Sequence, residues 1–389
     1  HLEFESLVLK KVKNYEKYFL LKNVSKCSNL KPLSRKDLKG YTKRCSSLIK
    51  KNITSKNINS SLDKLSAINM PHGGNEMSKY AVTNINNYTV MSTFFDKLER
   101  FLRKGVKKMN KLRVYHGDIK SANILVKDGS PRLIDWGLAF YHKKKNDNVH
   151  NDAKERPFQF NVPPSCILFN NTFKVRYQAF LSQYGNKDKG KEEFVKEYVN
   201  EWNEERGAGS LDILNHVYAG LVPDKKIKAT DKKAEPVIIK YITNILDKYT
   251  TNDEFNENKY YNDVYLKNLD LWGVVMSCVN IFDLMNNSKD TLNTIELMIL
   301  EDIREMFKYT IENDNTPMNP SVIENYFKEI SELYSTVELK DLIDNTKNKN
   351  KITSNFKTSS NKKSKTKKSK KTKTSKSSQN TRKVGKKYF

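Results

Sequence analysis

The stretch VYHGDIKSANILV, residues 114–126, gathers a His, an Asp, a Lys and an Asn between His116 and Asn123 and then turns apolar. Its "NILV" and the following "RLID" read as two short strands joined by a turn at "KDGSP", a hairpin. A hairpin of that length brings Asn123 and Asp135, twelve residues apart, to the same end. Gly137 is expected to free the backbone for the turn that follows. Upstream, residues 89–112 carry the apolar spacing of a long amphipathic helix that delivers the chain into this loop.

These residue types suit phosphoryl transfer from a nucleotide. That reaction needs an acceptor hydroxyl held in line, cations against phosphate oxygens, and carboxylate or amide ligands for Mg²⁺. Asp118 can take the hydroxyl proton or orient the hydroxyl. Lys120 can reach the transferring phosphate, Asn123 and Asp135 can share a metal, and His116 can brace the loop. Any one of these taken singly reads as an ordinary loop residue. The joint spacing H-x-D-x-K-x-x-N, then D-x-G after twelve residues, carries the inference.

With those residues in place, the chain resembles the eukaryotic-type protein kinase superfamily: "HGDIKSAN" resembles its catalytic loop, and "DWG" stands where Asp-Phe-Gly is usual. The resemblance implies an α+β, kinase-like fold: a partial N-lobe over 1–75 with an insert at 22–62, then a mostly helical C-lobe over 76–344. It implies Ser/Thr protein kinase activity, with ATP and Mg²⁺ as cofactors and a protein as substrate. "INMPHGG" resembles the hinge that meets adenine, which points to Asn69, Met70 and Pro71. "LDLWGVV" resembles the buried helix whose Asp, here Asp270, holds the catalytic loop; a helix N-cap is the alternative for that residue. The N-terminal helix resembles the regulatory helix, with Glu5 in the ion-pairing position ahead of Val8, Leu9 and Val12; an exposed surface Glu is the alternative.

The departures from that pattern carry expectations of their own. A Gly-rich loop and a strand Lys would precede residue 1, so the chain as given is expected to bind ATP poorly. Gly117 replaces the Arg that pairs with an activation-segment phosphate, which implies activity independent of such phosphorylation. About 130 residues lie between Asp135 and Asp270, so an insert is expected near 141–262. Within it, "RPFQFNVPPSCILF" marks a segment that cradles substrate. That stretch, the insert and the Asn/Lys-rich composition resemble kinases of large cytoplasmic DNA viruses.

Two other classes stay open. "HGD" and "IDWG" also occur in aminoglycoside and choline kinase-like small-molecule phosphotransferases, although Lys120 and the "DLWG" helix fit the protein kinases better. A pseudokinase scaffold with a polyanion-binding tail is the non-enzymatic rival. It rests on the charge, +26 over 389 residues. Residues 345–389 hold seventeen Lys and Arg and no acid, leaving about +9 for the remainder. Such a tail is expected to be disordered and able to bind nucleic acid or another polyanion through phosphate contacts, or to act as a nuclear address. The four cysteines lack metal spacing, which fits a reducing intracellular compartment, cytoplasmic or nuclear. No apolar run is long enough to span a membrane. From 271 to 285 the apolar residues lie on nearly all sides, and a single buried helix is expected.

Overall fold

In the computed structural model, the described residues are 2–21, 24–143, 148–154, 156, 159–186, 190–206, 209–221 and 234–336; the side chains of residues 2–5, 152, 206 and 209 lie outside that set. His1–Leu339 group as one compact unit, and residues 337–389 lie outside the described residues. The expectation of a disordered tail at 345–389 therefore falls outside what is described. The architecture is α+β and mostly helical, with small antiparallel sheets.

The helix expected over 89–112 runs from Tyr88 to Arg100, widens into a π turn over Phe101–Val106 and resumes over Lys107–Lys111. The Val90 N–H donates to Asn87 Oδ1 at 3.2 Å, which caps the first turn. Met91, Phe94, Phe95, Leu98, Phe101 and Leu102 recur every three or four residues, and all are buried. At Gly105, in the π turn, a Cβ would come within 2.8 Å of the Tyr18 side chain, so the small residue lets the preceding segment pack closely.

The expected hairpin forms, pairing Ile124–Lys127 with Ser130–Leu133. Asp128 and Gly129 take positive φ (51° and 70°), as a two-residue hairpin turn with the strand twist requires. A third strand, Asn75–Glu76, lies against Ile124–Lys127, and Gly74 (φ 106°) has Val126 backbone where a Cβ would stand. The chain that leaves Asn69, Met70 and Pro71 is thereby led onto the hairpin. Asn69 itself ends a strand, Ala67–Asn69, paired with Ser25–Cys27.

The helix expected at 271–285 is two helices, Leu266–Met276 and Val279–Asn287, broken at Ser277 and Cys278. The first is buried on every side from Asn268 to Met276, as its apolar composition demands. The long insert is helical: Asn171–Tyr184, Lys191–Arg206, Gly209–Leu221 and Ala234–Tyr249. Its aromatic side chains join the main core, with Phe173, Tyr177 and Tyr198 buried and in ring contact. Helix Thr294–Glu312 and a helix over residues 320–336 complete the described part. The four cysteines form no disulfide.

Candidate active site

Two strand ladders bring the site together. Val114–Tyr115 pairs with Phe140–Tyr141, and the hairpin pairs Ile124 with Leu133. Both ends of the loop 116–123 are thus tied to the two ends of the segment 134–139. Two further bonds close the gap between them. Ile134 N–H donates to the Asn123 carbonyl at 3.0 Å, and His116 Nε2 lies 3.0 Å from the Ile134 carbonyl.

At the centre is the Asp118 carboxylate, about nine-tenths buried. Lys120 Nζ donates to it at 2.9 and 3.2 Å, and Asn123 Nδ2 at 2.9 Å, with a second bond from Nδ2 to the Asp118 carbonyl at 2.8 Å. Using its amide nitrogen on Asp118 leaves the Oδ1 of Asn123 as its acceptor for any other group. Two residues not singled out in the sequence complete the ring. Asn161 Nδ2 donates to Asp118 Oδ1 at 2.9 Å and to the Ile119 carbonyl at 3.2 Å. Buried Arg156 brings Nη2 to 4.0 Å from the same Oδ1. Both lie in the stretch marked as a substrate cradle. A separation of some forty residues hid their contact with Asp118 from any local motif.

Arg156 also lies beside Gly117. Gly117 takes φ 67°, and a Cβ there would come within 3.0 Å of Arg156 Nη1 and 3.2 Å of the Leu138 carbonyl. A guanidinium thus stands beside Asp118, brought from a segment some forty residues later. It is buried and donates to Gln159 Oε1 at 3.1 Å.

Asp270 lies inside helix Leu266–Met276, which excludes the N-cap alternative. Its carboxylate accepts the N–H of His116 at 3.0 Å, the N–H of Gly117 at 2.9 Å and Asn110 Nδ2 at 3.0 Å. Burial raises the Asp270 pKa above the ordinary carboxylate range, against the pull of the His116 ring and these three donors. Burial likewise lowers the His116 pKa, opposed first by the Asp270 charge. The geometry agrees: Nδ1 receives the Asp118 N–H at 3.3 Å, so the ring is neutral there and carries its proton on Nε2 toward Ile134. His116 thus braces the loop.

The left-handed residue of the D-x-G turn is Asp135 (φ 61°, ψ 74°), and not Gly137, whose φ is not positive. The expected role of Gly137 is corrected accordingly. Trp136–Leu138 form a right-handed 3₁₀ turn, and the Gly137 N–H donates to Asp135 Oδ1 at 3.4 Å. A non-glycine residue in this region costs about 1–2 kcal/mol. Here it is held by buried Trp136, which packs edge-on against Phe19 and His116. Asp135 is exposed and adjoins Ile134, whose backbone bonds to Asn123.

Among the described residues, no three His, Cys, Asp or Glu side chains cluster as an all-protein metal cage. A magnesium ion does not require one, because it is commonly held by one or two protein oxygens, phosphates and water. Asn123 Oδ1 and the Asp135 carboxylate, whose Oδ1 accepts the Gly137 N–H, are the hard oxygens that the candidate site could offer to such an ion.

Asn69, Met70 and Pro71 are exposed, and Pro71 can offer only a carbonyl to a base. Glu5 falls within helix Leu2–Leu9, but its expected ion pair lies outside the described side chains. No family model matches this chain, and neither a curated protein nor a solved structure matches it. Among the described residues, no helix is long and apolar enough to cross a membrane.

Proposed function

We propose that this chain is a phosphotransferase of the protein-kinase type, moving the γ-phosphate of ATP to Ser or Thr hydroxyls of a protein. One observation carries the reading. The Asp118 carboxylate is clamped by Lys120, Asn123 and Asn161, and the Asn123 backbone is bonded to the neighbour of the strained Asp135. Asp118 accepts the proton of the incoming hydroxyl or orients it for attack. Lys120, about 30% exposed at the rim, lends positive charge to the moving phosphoryl group. Asn123 and Asp135 would hold Mg²⁺, which when bound neutralises charge on the phosphates. Asp270, His116, Asn161 and Arg156 position Asp118 and the loop that carries it.

The same residues would serve a small-molecule phosphotransferase, and Lys120 paired to Asp118 favours a protein acceptor. The tail at 345–389 would add polyanion binding, whether the protein works in the cytoplasm, as in a large DNA virus, or in the nucleus.

The test uses the full-length protein with Mg²⁺ and γ-labelled ATP. Its acceptors are basic and acidic proteins beside small hydroxyl and amine compounds. Asp118→Asn should lower turnover by roughly 10²–10⁴-fold with an unchanged circular dichroism spectrum. Transfer by Asp118→Asn at the wild-type rate, or no transfer by wild type to any acceptor, would remove the reading.

A further inference from the structure

A cleft of about 1280 Å³ lies between the segment after the N-terminal helix, the long helix 88–111 and the edge of the hairpin. Of the seventeen described residues that line it, eleven are Lys or Arg and none is acidic. Four of those cations have partners: Lys97 donates to the Asp128 carbonyl, Arg100 pairs with Asp96, Arg103 with Glu99, and Lys107 with Glu324. Among the described residues, no acidic side chain pairs with the other seven, Lys11, Lys13, Lys17, Lys104, Lys108, Lys111 and Arg132. An ordinary solvated face mixes both signs, and a concave wall of one sign concentrates its field.

We propose that this cleft is a nucleic-acid backbone site on the folded unit, separate from the basic tail and independent of the phosphotransfer reading. Lys97, Arg100, Lys104, Lys108 and Lys111 line the cleft from one helix. At a rise of about 1.5 Å per residue their steps are about 4.5–6 Å, a row of cations over about 21 Å. Such a row follows a chain of phosphates. Arg132, on the hairpin wall, keeps a buried Nε with no hydrogen-bond partner. Turning its guanidinium onto a phosphate would gain the bond it now lacks.

The lining also disfavours two other polyanions. Its apolar members are few, and Val12 and Pro131 are themselves buried, so a docked acidic peptide would find little to anchor its side chains. The cations sit in a concavity, which a flat bilayer surface cannot follow. Tyr18 is the only aromatic residue among the described residues of the wall, so contact is to phosphate without base choice.

The experiment is lysine acetylation footprinting by mass spectrometry on the full chain. It is run with and without a single-stranded or duplex oligonucleotide of about 20 nucleotides, long enough for several phosphate contacts. Parallel arms use poly-glutamate and phosphatidylserine vesicles. Binding should slow acetylation of Lys11, Lys104, Lys108 and Lys111 about threefold or more and leave exposed Lys289 unchanged. The single-stranded and duplex arms distinguish which backbone fits. In a salt titration, full-chain Lys104→Glu/Lys108→Glu/Lys111→Glu should lose about 2–3 units of slope in log K against log salt, at about 0.7–0.9 per phosphate contact. Unprotected cleft lysines, an unchanged slope, or protection only by peptide or vesicle would overturn the proposal.

Discussion

Asp118 shows how much of the candidate site's geometry rests on single side chains far away in sequence. Two of its neighbours, Lys120 and Asn123, are local; Asn161 and Arg156 arrive from a segment some forty residues later. Asn161→Ala would leave Asp118 Oδ1 and the Ile119 carbonyl each one donor short. The expected loss is about 1–3 kcal/mol of stability, because an acceptor in a buried site is left unsatisfied. Turnover should fall about tenfold, since a misplaced base costs rate without leaving the site. Denaturant unfolding and initial rates measure the two effects. Asn161→Asp should be worse on both counts, because it sets a second carboxylate against Asp118 at hydrogen-bond distance.

At the scale of elements, the buried helix Leu266–Met276 supports the loop by close approach as well as through Asp270. A Cβ on Gly273 would meet the Ile119 carbonyl oxygen at 2.7 Å and the Ile119 side chain at 2.8 Å. Backbone on that side cannot yield as a flexible side chain would. Gly273→Ala should therefore push the helix off the loop, costing about 1–3 kcal/mol in chemical denaturation, with turnover reduced alongside. A second element-scale effect is electrostatic. Burial raises the pKa of Asp302, on helix Thr294–Glu312, to about 6, helped by the charges of Glu329 and Glu301. The folded protein then holds more protons than the unfolded chain between the ordinary carboxylate pKa and about 6, so stability falls as pH rises through that window. Above it the ionised carboxylate carries a constant cost. Water screens this half-buried group, so Asp302→Asn should gain only about 0.5–1 kcal/mol at pH 8 and almost nothing at pH 4. Thermal or urea unfolding at the two pH values measures the difference.

For the whole molecule, charge and catalysis should separate. The seventeen cations beyond residue 344 supply most of the net charge, whereas the site around Asp118 is built within the compact unit. Deleting 345–389 should lower affinity for polyanions and reduce its salt dependence, as expected when phosphate contacts are removed. Phosphate transfer should stay within about twofold, since Lys120, Asn123, Asn161 and Arg156, the described residues that surround the Asp118 carboxylate, all precede the tail. Filter binding across a salt series and a transfer assay on the same preparation test both halves.

The sequence by itself determined what local periodicity and turn chemistry encode. The apolar spacing of 91–102 gave the long helix, and the Asp-Gly turn gave the hairpin and so the meeting of Asn123 with the segment before Asp135. The pairing of Asp270 with the loop was also legible, through a resemblance to a known pattern and not through any local rule. Tertiary structure alone decided the rest. The break at Ser277 and Cys278 could not be read from a run that is apolar on every side, because such a run has no period to lose. The left-handed turn fell on Asp135 and not on Gly137, held by the packing of Trp136 against Phe19 and His116. Arg156 filled the place beside Gly117 from a distant segment, and cations scattered between residues 11 and 132 formed one wall of a cleft. Hydrogen bonds and close contacts between remote residues are set by where the chain packs, and no spacing along the chain records them.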